Sequence, residues 1–170
     1  MRVVYMVGLL FILALPLQAA PPGQGVDLAG LEGWSIVASA TASPSEQYAV
    51  EEFQRIFKEA AGLAVPVDAS ATESRIFIGP GEALREAMPD FDTSGYGSEH
   101  FRIVIRDDVI AVAGGRPRGT LYGVYTFVED YLGVRFLTKD HTHIPPLGAW
   151  RVVGPVDRMV RPPLRFRWSY

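Results

Sequence analysis

Two arginines set among glycines are the residues of this chain best placed to do chemistry. The run Gly114-Gly115-Arg116-Pro117-Arg118-Gly119 lies between an apolar stretch of strand character and a stretch of helical period. Glycines let a backbone approach an anion closely, and a helix N-terminus favours negative charge. Arg116 and Arg118 could grip a carboxylate bidentately. The spacing is neither a P-loop nor a dinucleotide fingerprint. The same residues admit a packing role: Gly119 and Gly123, four apart on a helix, permit close approach while the arginines brace a domain junction. Both readings stand at this level.

Other combinations offer less. His141 and His143 share one face if they lie in a strand, which suits a metal, but no third ligand is evident and no H-E-x-x-H motif occurs. No metal or other cofactor is therefore expected. Glu51-Glu52, Asp107-Asp108 and Glu129-Asp130 are adjacent carboxylates. Adjacent helical residues point about 100° apart, too divergent to serve as an acid/base pair, and belong on solvated faces, while Asp107-Asp108 reads as turn chemistry. No catalytic residue is assigned. The absence of cysteine excludes a disulfide scaffold, a thiolate zinc site and a cysteine nucleophile. Arg151, Arg158, Arg161, Arg165 and Arg167 interleave with Phe166, Trp168 and Tyr170, a composition that could bind single strands. A net charge of −3 opposes that, so no nucleic-acid partner is expected.

The elements that would position these residues are well marked. With 48% hydrophobic and 21% charged residues over 170 positions, the chain is of ordinary globular composition. Arg2, an apolar stretch over 3–17 and the small-residue ending at Ala19 predict a signal peptide over 1–19, and hence a secreted or periplasmic protein with no membrane contact after cleavage. The alternative, a retained anchor, is disfavoured because the run is short for a span of about 20 residues. Residues 20–33 read as a flexible lead-in.

Residues 34–38 read as a strand. Ser43 as N-cap, Pro44 at the first helical position and Glu46 closing a capping box predict a helix with the stripe Val50, Phe53 and Phe57, stopped by Gly62. Short strands follow at 65–67 and 75–78, then one or two helical turns over 82–88 and a polar loop over 90–98. Residues 101–105 and 109–113 form a hairpin. A second helix over 117–132 presents Leu121, Val124, Val128 and Leu132 to the sheet, with Gly119, Tyr122 and Gly123 on another side, available for interdomain packing. Residues 134–137 give a last strand, and 146–170 a linker. This pattern predicts an α/β (α+β) two-layer sandwich: a mixed sheet of about five to six strands with two main helices on one face.

The run from Gly114 to Tyr125, continuing through Tyr131-Leu132-Gly133-Val134-Arg135-Phe136-Leu137, resembles the N-terminal domain that precedes the catalytic barrel in α-glucuronidases of glycoside hydrolase family 67. Similar modules precede the barrels of family 20 β-hexosaminidases. Ser43 to Ala49, Phe53 and Ile76 to Gly81 fall in matching order, so the resemblance covers 34–145. It implies a non-catalytic accessory domain of an exported glycoside hydrolase acting in polysaccharide breakdown. Its partner would be a C-terminal catalytic barrel that carries the reacting carboxylates. A barrel needs roughly 250 residues, and the sequence reaches only about the start of one. The resemblance also makes a sugar or uronate the ligand that Arg116 and Arg118 would contact. A stand-alone carbohydrate-binding module is the alternative.

Overall fold

A computed structural model describes residues 25–148 and 151–163. The proposed signal peptide, the first residues of the lead-in and the aromatic tail from Phe166 to Tyr170 lie outside the described residues. The elements run β1 (Val26–Asp27), β2 (Ser35–Ala38), α1 (Pro44–Ala61), β3 (Arg75–Ile78), α2 (Glu82–Ala87), β4 (Phe101–Arg106), β5 (Val109–Gly114), α3 (Gly119–Tyr131), β6 (Arg135–Thr138), β7 (His141–His143), β8 (Val152–Val153) and β9 (Val156–Val160).

A five-stranded mixed sheet of order β2-β3-β5-β4-β9 forms the centre. β2, β3 and β5 are parallel, and β4 runs antiparallel to both β5 and β9. Successive side chains of a strand point to opposite faces, so each apolar strand feeds two cores. Ile36, Ile76, Ile78, Ile103, Ile110 and Val112 meet the two long helices on one face. Phe53 on α1 stacks on Phe57 and touches Phe127 of α3, each pair with ring centroids 5.7 Å apart. On the other face Val37, Phe77, Val104 and Ala111 lie beneath Leu84, Met88 and Phe91.

The first helix forms as its sequence dictates. The Ser43 hydroxyl accepts from the Glu46 amide, the Glu46 carboxylate accepts from the Ser43 amide, and Gly62 closes the helix at φ 71°. Two amphipathic helices on one face of a mixed sheet make the predicted sandwich.

Several boundaries differ from expectation. Val26, Leu28 and Leu31, in the stretch read as flexible, are buried, and β1 pairs with β8. Residues 156–160, read as linker, supply the edge strand β9. β6 does not join the main sheet but pairs with β7 as a separate hairpin. Residues 65–67 make a single bridge, Ile36 to Val67.

β9 is weakly apolar, and beyond its backbone ladder with β4 it is clasped by a β4 side chain. Arg102 donates from Nε and Nη2 to the two oxygens of Asp157, each at 2.7 Å, and from Nη1 to the Asp90 carbonyl at 2.7 Å. Its guanidinium also lies 5.0 Å from the Phe91 ring centroid. The hydrogen bonds from Arg102 hold the Asp157 carboxyl below the usual aspartate range, so this contribution is lost as pH falls through that lowered value. Arg102→Met should cost about 1–2 kcal/mol. The amides of 156–160 should then exchange faster than those of β3, as hydrogen-exchange mass spectrometry would show. Uniform acceleration across the sheet would contradict a local clasp.

Candidate functional site

The carboxyl ends of β2, β3 and β5 lie side by side, and the chain leaves each by a loop: 39–43, 79–81 and 115–118. In open α/β sheets ligands bind in the crevice outside such strand ends. An open groove of about 910 Å³ occupies this position, lined by these loops and by the 91–96 loop.

Arg116 stands at one end of the groove, and it does grip a carboxylate bidentately. The carboxylate belongs to Glu46 of the same chain, at 2.9 Å from Nε and 3.0 Å from Nη2, with a further bond from Nη2 to the Thr41 carbonyl at 3.0 Å. The Glu46 side chain is 2% exposed and that of Arg116 50%. Burial alone would raise the Glu46 pKa. The bonds from Arg116 and from the Ser43 amide outweigh it and hold the carboxyl below its ordinary value. Arg118 pairs with Glu99 at 3.2 Å. Both arginines predicted to meet a substrate are therefore engaged with carboxylates of their own chain.

The loop amides are likewise committed. Gly115 N–H donates to the His100 carbonyl, Arg118 N–H to that of Ser98, and Gly119 N–H to that of Gly115. The predicted anion cradle thus serves to clamp the 97–100 loop. A Cβ on Gly114 would lie 2.4 Å from the His100 oxygen, and one on Gly115 2.1 Å from that of Gly97. The glycines permit backbone to cross backbone.

The expected geometry of α3 is corrected in the same way. Gly119 and Gly123 face inward, not toward a second side of the helix: a Cβ on Gly123 would meet Val112 Cγ1 at 2.8 Å and Phe101 Cβ at 3.3 Å. Val124, Phe127, Val128 and Leu132 are buried with them, Leu121 is half-buried, and Tyr122 packs half-buried at the margin of the core. Two bare glycines let α3 settle onto β4 and β5, so their packing is internal to the domain.

The remaining candidates scatter. His141 and His143 are exposed on β7, and no group of three or more His, Cys, Asp or Glu side chains able to hold a metal occurs among the described residues. Glu52 is buried instead of solvated, accepting from Arg55 at 2.8 and 3.0 Å and from the Tyr125 hydroxyl at 3.3 Å. Arg151 donates to the Tyr131 carbonyl and Arg158 pairs with Asp130. No helix among the described residues is long and apolar enough to cross a membrane. Sequence reasoning missed the groove itself. Its hydroxyl groups, on Ser39, Thr41, Thr93, Ser94 and Tyr96, come from two loops far apart in sequence, of which the sequence marked only 90–98, by its polarity.

A family model described as "Glycosyl hydrolase family 20, domain 2" matches residues 16–129, more than half of the chain. The chain belongs to this family. It is 25% identical over 154 residues to the probable α-glucuronidase A of Aspergillus fumigatus, an alignment that takes in 82% of this chain and 18% of that protein. Among solved structures it is similar to a family GH115 4-O-methyl-α-glucuronidase with specificity for decorated arabinogalactans (TM-score 0.54, 16% identity, 75% of this chain and 17% of that one). It is also similar to the GH20 β-N-acetylhexosaminidase of Streptomyces coelicolor A3(2) (TM-score 0.52, 15% identity, 88% and 26%). The chain thus spans less than a fifth of the curated relative. The two structures share the fold, and the chain is a glycoside hydrolase-related domain of the family 20 and α-glucuronidase type.

Proposed function

We propose that this family 20 domain is the non-catalytic accessory part of an exported glycoside hydrolase of the α-glucuronidase type, acting in polysaccharide breakdown through a C-terminal catalytic barrel. The observation that carries the reading is the β6–β7 hairpin. The central strands β3, β5 and β4 of the main sheet are apolar and largely buried, whereas all four residues of β6 are exposed, Phe136 and Leu137 at 39% and 60%. Phe136 meets Tyr125 of α3 edge-on at 5.1 Å, and Tyr48 of α1 is also exposed. Large exposed apolar side chains on an element outside the main sheet support an interaction surface there. A covering domain would relieve the hydration cost of this one.

The carboxylates support the non-catalytic half of the reading. Glu46, Glu52, Glu99 and Asp157 are each held by an arginine, so these four act as structural anions. Export rests on the leader over 1–19, and localisation would be secreted or periplasmic.

The reading frame beyond the Tyr170 codon provides the test. It should continue into a barrel with inward carboxylates at its strand ends. In the joined protein, Phe136→Ser with Leu137→Ser should lower the melting temperature and the activity, with little effect on the chain alone. Turnover of aryl glucuronides or N-acetylhexosaminides by the chain alone, abolished by changing one carboxylate with the fold intact, would refute the proposal.

A further inference from the structure

We propose that the groove at the carboxyl ends of β2, β3 and β5 is a binding site for a neutral oligosaccharide. Its size comes first. At about 910 Å³ it lies within the roughly 300–1,000 Å³ typical of small-ligand sites, with room for a short sugar chain. Its lining mixes polar groups with the accessible apolar side chains of Ala38, Ala40, Ala69, Pro80 and Ala83, which can meet the C–H faces of sugar rings.

The walls carry paired hydroxyl and carboxylate groups. Ser39 Oγ and Thr41 Oγ1 lie 3.1 Å apart, close to the spacing of adjacent hydroxyls on a pyranose. Across the groove the Ser94 hydroxyl donates to Asp92 at 2.8 Å. Groups that both donate and accept extend such pairs into chains when a diol joins them.

Charge decides between a neutral and an acidic sugar. Glu82, Glu86 and Asp92 face Arg85 and Arg116 around the groove, one negative charge in excess. Glu46, which already matches Arg116, makes the excess two. The Gly115 amide, which could have received an anion, donates to the His100 carbonyl. A uronate would therefore enter a net negative field in which Arg116 is already paired and the exposed Arg85 is the remaining cation.

The test is a titration of the purified full chain, followed by amide chemical shifts, with xylotetraose, cellotetraose, N-acetylchitotetraose and free glucuronate. At least one neutral tetrasaccharide should shift the amides of 39–41, 81–83, 92–96 and 114–116, with an affinity on the order of millimolar. Ala40→Trp, a substitution at an exposed wall position, should weaken binding about tenfold or more and leave the melting temperature unchanged. The inference is overturned if no neutral sugar shifts these amides at about 10 mM, if glucuronate binds more tightly than every neutral sugar, or if Ala40→Trp folds and binds as the parent does. Should that variant fail to fold, the location of the shifts in the parent chain decides.

Discussion

Gly119→Ala is expected to lower the melting temperature by roughly 10 °C or more, although alanine is the better helix former. In an open helix the exchange would gain about 1 kcal/mol. At this position the new Cβ would lie 2.2 Å from the His100 carbonyl oxygen and 3.1 Å from the Gly114 carbonyl carbon. Both are backbone atoms, so no rotamer change relieves the contact. The His100 carbonyl is also fixed by the Gly115 amide at 2.9 Å, and the His100 ring by the Gly97 amide at 3.0 Å. The loop over 97–100 must move away from the sheet end, at a net cost of about 3 kcal/mol. Thermal and urea unfolding measure it. Gly148→Ala, with nothing within 4 Å of the added carbon, is the control and should stay within about 0.5 kcal/mol of the parent. Equal effects of the two substitutions would show that the close crossing of backbones is not a constraint.

The second large effect should come from Arg116→Met, which tests whether this arginine serves the fold. Loss of the guanidinium leaves Glu46 buried with Ser43 as its remaining partner. Breaking a fully buried ion pair costs about 3–5 kcal/mol. Arg116 is half exposed, so about 2 kcal/mol is expected here. In the parent protein burial acts to raise the Glu46 pKa, and Arg116 with Ser43 brings it below the ordinary value. The pair's contribution is thus complete above the ordinary glutamate pKa and is lost as pH falls through the lowered folded value. In the variant burial is less opposed and the Glu46 pKa rises. The stability difference between the two proteins should therefore be greatest near pH 7 and smaller near pH 3, below the ordinary glutamate pKa of about 4.3. Urea midpoints at the two pH values give the result. A difference independent of pH would mean that Glu46 ionisation is not linked to Arg116.

These two positions also show what could be read from the chain. The first helix was legible to its last cap because Ser43, Pro44, Glu46 and Gly62 act on backbone groups within four residues of themselves. The hairpin of β4 and β5 was legible for the same reason, its turn and alternation being local. Arg116 was legible as a residue able to bind a carboxylate, since that is a property of the guanidinium.

Which carboxylate it would bind was not. Glu46 precedes it by 70 residues, and the two meet because β2 and β5 are parallel with β3 between them, which brings the start of α1 beside the loop after β5. The face on which Gly119 and Gly123 lie was misjudged for a related reason. A glycine adds nothing to an apolar stripe, so periodicity left both outside the buried face, whereas the sheet selects them for having no side chain. β9 escaped notice because an edge strand needs little apolar character once Arg102 holds it through Asp157. The sequence by itself determined the local elements and the chemical capacity of each side chain. The tertiary structure decided which capacities were already satisfied within the chain and which, along the groove, face solvent, because pairing across 70 residues depends on strand order, which no local pattern encodes.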